Sequence, residues 1–258
     1  GNGISLIIFI GIIAELPGAL AQFFEQGRVG QINTLVIVGV LMLGAAVIYF
    51  VVFIERAQRR ILIQYPRRQV GTKMFGGENS HLPLKLNTAG VIPPIFASSL
   101  LLLPTTVATF SAGGGDTGVL GAVAALLGRG QPMFLLLYAS LVVFFVFFYT
   151  AVVFNPDDVA DNLKKHGGFV PGIRPGKRTA EYLDFVLTRL SVVGAAYLVA
   201  VVLLPEILIS KVNVPFYFGG TSLLIVVSVT MDTITQVQSH LLAHQYQGLI
   251  KKSKIRGR

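Results

Sequence analysis

The sequence predicts an all-α membrane protein that crosses the bilayer several times. Hydrophobic residues make up 53% of the chain and charged residues only 13%, with a mean hydropathy of +0.71, whereas about 25% of residues are charged in soluble domains. The apolar residues fall into separate blocks of about 20, the length at which a helix crosses a hydrocarbon core of about 30 Å. Helices are expected because lipid offers backbone groups no partner, and the blocks lack the alternation of membrane strands.

Six blocks are candidate membrane helices, at about 4–24, 33–54, 88–110, 132–154, 183–204 and 216–237. The first block contains Glu15 beside Pro17, and the last contains Asp232 near its inner end. Asp184 and Arg189 lie in the first two turns of the fifth, where interfacial water or a later helix start explains them. The chain opens almost directly in apolar sequence without a basic leader, so we expect a piece of a longer protein.

Lys and Arg predict the orientation. They collect at 55–85, at 155–190 and after 239, while only Arg28, Arg129 and Lys211 lie elsewhere. Six crossings would place all three basic segments on one side, which the positive-inside rule makes cytoplasmic, together with both termini. Topology alone does not require two loops of about 25 to 30 residues. Their density of Arg indicates a docking surface for acidic protein faces or phosphate-rich RNA.

Catalytic, cofactor and metal sites are not expected. The four His are dispersed, and His240 and His244 have the spacing of metal ligands but no third ligand nearby. A glycine-rich stretch at 113–118 is not followed by Gly-Lys-Ser/Thr and is interpreted as an outer connector. Cysteine is absent, which removes thiolate chemistry. We therefore predict a protein that is not an enzyme.

Four ordered motifs resemble the SecY family of protein-conducting channels. They read GNGIS at 1–5, HLPLKLNTAGVIPPIFASS at 81–99, FYTAVVFNPDDVADNLKKHGGFVPGIRPG at 148–176, and VPFYFGGTSLLIVV at 214–227. The resemblance implies membrane helices five to ten of a clamshell built from two inverted halves. Residues 1–24 would be the last helix of the first half, 25–238 the five-helix second half, and 239–258 a basic cytoplasmic tail. The first half, with the plug, would be missing.

The resemblance also implies a pore constriction of aliphatic side chains. The matching positions are Ile4, Ile8, Ile95 and Ile225. A narrow apolar ring excludes ions by dewetting and can yield around a passing polypeptide.

The third block resembles one side of the lateral gate, through which signal sequences meet lipid. Its polar positions are Asn87, Ser98 and Ser99. Pro93 and Pro94 each remove a backbone donor, so we expect a kink in this helix. Glu15 stands where the family more often has a small residue and receives no role.

The loops at 55–85 and 155–182 resemble two cytoplasmic projections that offer basic residues to partners. Arg174, in PGIRPG, is the first docking candidate because flanking Pro and Gly favour a tight turn at a loop tip. Arg59 and Arg60 are secondary candidates. The implied partners are the SecA motor ATPase, ribosomal RNA and protein at the exit tunnel, SecE-type and SecG-type small membrane subunits, signal peptides, preproteins and the lipid bilayer.

The predicted function is that of the central channel subunit, which passes unfolded preproteins across the bacterial plasma membrane and releases membrane segments laterally into it. The alternative is half of a secondary solute transporter with inverted repeats. The two differ at the midplane, because a solute site needs convergent polar groups whereas this chain offers isoleucines.

Overall fold

In the computed structural model, the described residues are 3–30, 32–66, 68–70, 73–75, 79–112, 131–212 and 220–255. Their side chains are described except at 4, 68–70, 73–75, 107–112, 209–212 and 243–255. The helices are α1 Gly3–Arg28, α2 Thr34–Arg56, α3 Ile92–Ala112, α4 Pro132–Val153, α5 Pro156–Lys165, α6 Lys177–Val212 and α7 Gly220–Ile255. The strands are β1 Gln58–Gln64, β2 Arg68–Val70, β3 Lys73–Phe75 and β4 Asn79–Lys85.

Each of the six predicted apolar blocks overlaps one helix, which confirms a mainly helical fold. Five helices are long and apolar enough to cross a membrane: the described parts of α1, α2, α4, α6 and α7. In α3 the apolar stretch found among the described residues is shorter, Ile92–Thr106. Six crossings therefore stay a prediction.

Two helices extend well beyond the blocks that predicted them. α6 begins at Lys177 rather than 183, and α7 continues to Ile255 rather than ending at 237, so that each has 36 residues. At 1.5 Å per residue, 36 residues reach about 54 Å, longer than the hydrocarbon core. A search for apolar residues finds the lipid-spanning part of a helix and misses its polar continuation.

The loop at 55–85 contains strands, which the sequence analysis did not predict. β1 pairs antiparallel with β4, from Gln58 opposite Lys85 to Gln64 opposite Asn79, and β2 pairs with β3. In β1, Ile61 and Ile63 are buried on one face, as expected for alternating side chains. The apolar run between Arg60 and Gln64 is only three residues long, too short to stand out in a search for membrane helices.

The chain divides into two compact units. The first comprises 1–52 and 214–258, and within it α1 contacts α7. The second comprises 53–213, and within it α4 packs against both α3 and α6, and α5 packs against α6. The predicted boundaries at residues 24 and 238 stay predictions.

Both basic loops share one apolar core in the second unit. Its buried members come from the hairpin, from the segment after α5 and from the first turns of α6: Ile61, Leu84, Val170, Leu183, Val186, Leu187 and Leu190. Burying each of the larger side chains contributes about 1.5–3 kcal/mol relative to exposure. The loops are therefore packed against α6, and we name this part of the second unit, residues 55–86 and 155–190, the loop body.

Candidate functional site

The two basic loops are joined directly by backbone hydrogen bonds. The Gln64 N–H donates to the Phe169 carbonyl at 2.9 Å, and the Phe169 N–H donates to the Gln64 carbonyl at 3.0 Å. This antiparallel bridge connects the end of β1 to the segment that follows α5. Nothing in the sequence pattern indicated this pairing, because one bridge pair has no periodicity.

Gly168 lets the two loops approach each other closely at the bridge. A Cβ atom added to Gly168 would lie 3.0 Å from Cε1 of Tyr65 and 3.1 Å from Cγ2 of Ile63. Such distances are shorter than ordinary van der Waals contact, so the Tyr65 and Ile63 side chains would have to shift by a few tenths of an ångström to admit a methyl group. Glycine therefore fits this close approach without that adjustment.

α5 is ordered by its own polar ends. The Asn155 side-chain oxygen accepts a hydrogen bond from the Asp157 N–H at 3.1 Å, and Pro156 occupies the first helical position. Asp157 and Asp158 lie in the first turn, and Lys164 and Lys165 in the last. The negative charges at the N-terminal end and the positive charges at the C-terminal end both interact favourably with the helix dipole, and the cap and the proline suit the helix start. The acidic residues therefore lie in the first turn of a capped helix.

Arg174 lies in a turn that its neighbours hold in place. Gly172 and Gly176 have positive φ angles of 83° and 102°, which glycine adopts at little cost. The buried Thr179 hydroxyl donates to the Arg174 carbonyl at 2.9 Å. The Arg174 side chain is exposed. This arrangement presents a guanidinium to solvent on a fixed backbone, in the predicted turn.

Arg59 and Arg60 lie near the start of β1 and are also exposed. They pair in register with Leu84 and Pro83. Both arginines therefore belong to the loop body that carries Arg174, at the opposite end of β1 from the bridge to Phe169.

Asn87 occupies a buried polar cluster just after β4. It is 4% exposed, and its amide nitrogen donates to Oε1 of Glu55 at 2.8 Å and to the Gly90 carbonyl at 3.1 Å. Its Oδ1 atom is buried and has no hydrogen-bond partner among the described residues. The sequence pattern indicated Asn87 but not Glu55. The feature that could have indicated Glu55 is its position as an acidic residue directly after an apolar block.

The serines predicted for the lateral gate bond within their own helix. The Ser98 and Ser99 hydroxyls both donate to the Ile95 carbonyl, at 2.9 and 2.8 Å. Ser99 is exposed and Ser98 half-buried. Their position on one side of a gate stays a prediction.

The expectation of a kink at Pro93 and Pro94 is wrong. α3 begins at Ile92, so both prolines lie in the first turn, where backbone N–H groups have no acceptor within the helix. They therefore remove no helical hydrogen bond. Pro104 lies inside α3, where its missing backbone N–H does remove a hydrogen bond of the helix.

The isoleucines predicted for the pore ring lie on three different helices. Ile8 in α1 and Ile95 in α3 are half-buried, and Ile225 in α7 is 6% exposed. The side chain of Ile4 lies outside the described residues. Convergence of the four at one level stays a prediction.

Glu15 and Asp232 are both exposed on their helices. Among the side chains that the structure describes, no group of three His, Asp or Glu residues could hold a metal ion. His244 lies outside those side chains.

Comparison with known proteins finds relatives that all belong to one family. The SecY family model matches residues 1–234. The protein translocase subunit SecY of Pseudomonas aeruginosa is 56% identical over 257 residues, which is 100% of this chain and 58% of the relative. The subunits of that name from Vibrio cholerae and Escherichia coli K12 are each 53% identical over 100% of this chain and 59% and 58% of their own lengths. The chain thus spans less than two thirds of these curated relatives.

Two solved structures share the fold. One, described as a study of the plug domain of SecY and the closed channel, has a TM-score of 0.62 at 18% sequence identity. The match covers 93% of this chain and 60% of the chain in that structure. The other, described as a protein-conducting channel, has a TM-score of 0.58 at 18% identity, with 93% and 59% covered.

Proposed function

Because the chain belongs to the SecY family, we propose that it forms the second half, with one helix of the first, of a channel that passes unfolded preproteins across the bacterial plasma membrane. Its family and its apolar helices make it a multi-pass membrane protein. The same channel would release membrane segments sideways into the lipid bilayer.

The loop body is the observation that carries this proposal. Two loops that a compact membrane protein does not need are packed on a common core and joined by the Gln64–Phe169 bridge. They present Arg174, Arg59 and Arg60 to solvent. Exposed guanidinium groups on an ordered backbone suit carboxylate or phosphate partners. We propose that these partners are the SecA motor ATPase and the ribosome at its exit tunnel, with SecE-type and SecG-type subunits bound in the membrane.

The orientation follows from the same loops. Both carry the dense Lys and Arg of the chain, so the loop body would face the cytoplasm, as would both ends of this chain. Energy would then come from cytoplasmic partners.

The pore would be closed by Ile4, Ile8, Ile95 and Ile225. Their side chains offer no hydrogen bonds, so a narrow ring of them would resist wetting while letting an extended chain pass. Asn87, Ser98 and Ser99 would lie on or behind the gate helix α3, next to the path by which signal peptides reach lipid.

Half of a solute transporter was the alternative, and the relatives do not support it, since they are named protein translocase subunits.

Reconstitution separates these functions. The complete channel, assembled in vesicles with its motor and ATP, should make an unfolded preprotein resistant to added protease. A preprotein lacking its signal peptide is the matched control and should stay accessible. Failure to protect any preprotein, together with accumulation of a small solute, would overturn the proposal.

A further inference from the structure

We infer that Glu55 is a positioning residue that fixes the first turn of α3 and thereby the level of Ile95. This inference deepens the proposed function, since it matters only where Ile95 belongs to the pore ring. Neither the motifs nor the proposed docking surface gives Glu55 a role.

One buried amide connects Glu55 to the start of α3. The Asn87 side chain donates to Glu55 at 2.8 Å and to the Gly90 carbonyl at 3.1 Å. Gly90 has a φ of 67°, a backbone turn that leads directly into α3 at Ile92. Asn87 therefore joins the residue before the hairpin to the turn before the helix.

The backbone around this amide is held on two further sides. The Leu86 N–H donates to the Ala57 carbonyl at 3.0 Å, which fixes the hairpin base. From the other direction α6 comes so close that a Cβ atom on Gly194 would lie 3.0 Å from the Leu86 carbonyl oxygen. The same Cβ atom would lie 3.7 Å from Cα of Asn87. Asn87, the partner of Glu55, is thus part of the packed contact between α6 and the hairpin base.

The segment that connects Asn87 to Ile95 is short and largely buried. Only four residues lie between Asn87 and the first residue of α3. Ala89, Pro93 and Pro94 are all buried, and Ile95 follows within the first helical turn. A displacement of the turn at Gly90 therefore moves Ile95 directly.

The cost of burying Asn87 supports a positioning role. Its Oδ1 atom has no hydrogen-bond partner among the described residues, and an unpaired buried oxygen is unfavourable for stability. An apolar side chain of similar size would avoid that cost. The amide is explained by where its two donated hydrogen bonds hold the chain.

The test uses the complete channel complex in planar bilayers without substrate. N87D places a second carboxyl where the amide now meets Glu55, so resting conductance per channel should rise severalfold. Adding E55Q restores a carboxyl–amide pair with donor and acceptor exchanged, and conductance should return toward the unmodified level. Both variants lose the bond to Gly90, so the double variant reports the Glu55 contact alone and its recovery should be partial. S140A, which removes an exposed hydroxyl bonded to the Leu137 carbonyl within α4, is the matched control and should stay ion-tight.

N87L covers the case in which N87D does not fold. It should leave the purified complex folded, with a lowered thermal unfolding midpoint because Glu55 and Gly90 lose a donor, and still raise resting conductance. An N87D/E55Q channel as leaky as N87D, or an ion-tight N87L channel, would overturn the inference. Preprotein transport by the unmodified complex is measured in parallel, and its absence would count against the proposed function instead.

Discussion

Gln64 and Phe169 exchange two backbone hydrogen bonds, of 2.9 and 3.0 Å, although α3, α4 and α5 lie between them in the chain. Together with the shared apolar core, this pair makes one body of two loops that the sequence presented as separate. A force applied by a partner at Arg174 would therefore reach the hairpin at 58–85.

A disulfide should test whether the loops move together. Paired residues that exchange both hydrogen bonds have Cα atoms about 5.5 Å apart, within the range that a disulfide spans. The chain has no cysteine of its own, so Q64C/F169C should form one defined bridge. We expect the oxidised complete channel to transport a preprotein at the rate of its reduced form.

Q64C/K165C is the matched control and should give no bridge, because Lys165 lies at the end of α5 outside the pair. Loss of transport on oxidation of Q64C/F169C, with recovery on reduction, would mean that the loops must separate during transport.

Reversing the charge of Arg174 should impair docking. R174E places a carboxylate where partner carboxylates or phosphates would bind, and juxtaposed like charges cost several kcal/mol. Because 1.4 kcal/mol corresponds to about tenfold, we expect motor-driven transport to fall at least about tenfold. R178E changes a nearby exposed charge on α6 and should be far milder. Equal effects of both variants would assign the result to net charge rather than to the turn.

Accessibility of residue 165 should report the orientation of the loop body. A cysteine at the exposed Lys165 should react with an impermeant maleimide only after cells are opened, because the basic loops are expected inside. R129C, between the third and fourth predicted membrane helices, should react in intact cells. The reverse labelling pattern would invert the topology.

Gly194 should be intolerant of a side chain. G194A puts a Cβ atom 3.0 Å from the Leu86 carbonyl oxygen, and backbone cannot yield as a side chain would. Overpacking of this kind costs about 1–3 kcal/mol, so the free energy of unfolding of the purified complex should fall by that amount. G44A is the control: a Cβ there meets nothing within 4 Å in this chain, and the helix should gain up to about 1 kcal/mol. An unfolding free energy unchanged in G194A would contradict the packing argument.

The membrane helices could be predicted because burial in lipid demands long apolar blocks, and the Arg174 turn because Pro and Gly dictate its backbone. The hairpin could not, since Ile61 is buried in a cluster with residues of α6 that are distant in the sequence. The hydrogen bond between Asn87 and Glu55 could not be predicted either, because the two residues lie 32 positions apart in the sequence. The kink expected at Pro93 and Pro94 was wrong because α3 begins at Ile92 rather than at about 88, which places both prolines in its first turn.

The central claim concerns the pore, and resting conductance of the complete channel tests it most directly. Ile8, Ile95 and Ile225 would be replaced together by Asn and, as the matched control, by Leu, at equal protein density and without substrate. Polar groups in the constriction should favour water, so we predict that the Asn channel conducts ions at rest while the Leu channel stays nearly as tight as the unmodified one. An Asn channel as ion-tight as the unmodified protein would show that these isoleucines are packing residues and would contradict the pore assignment.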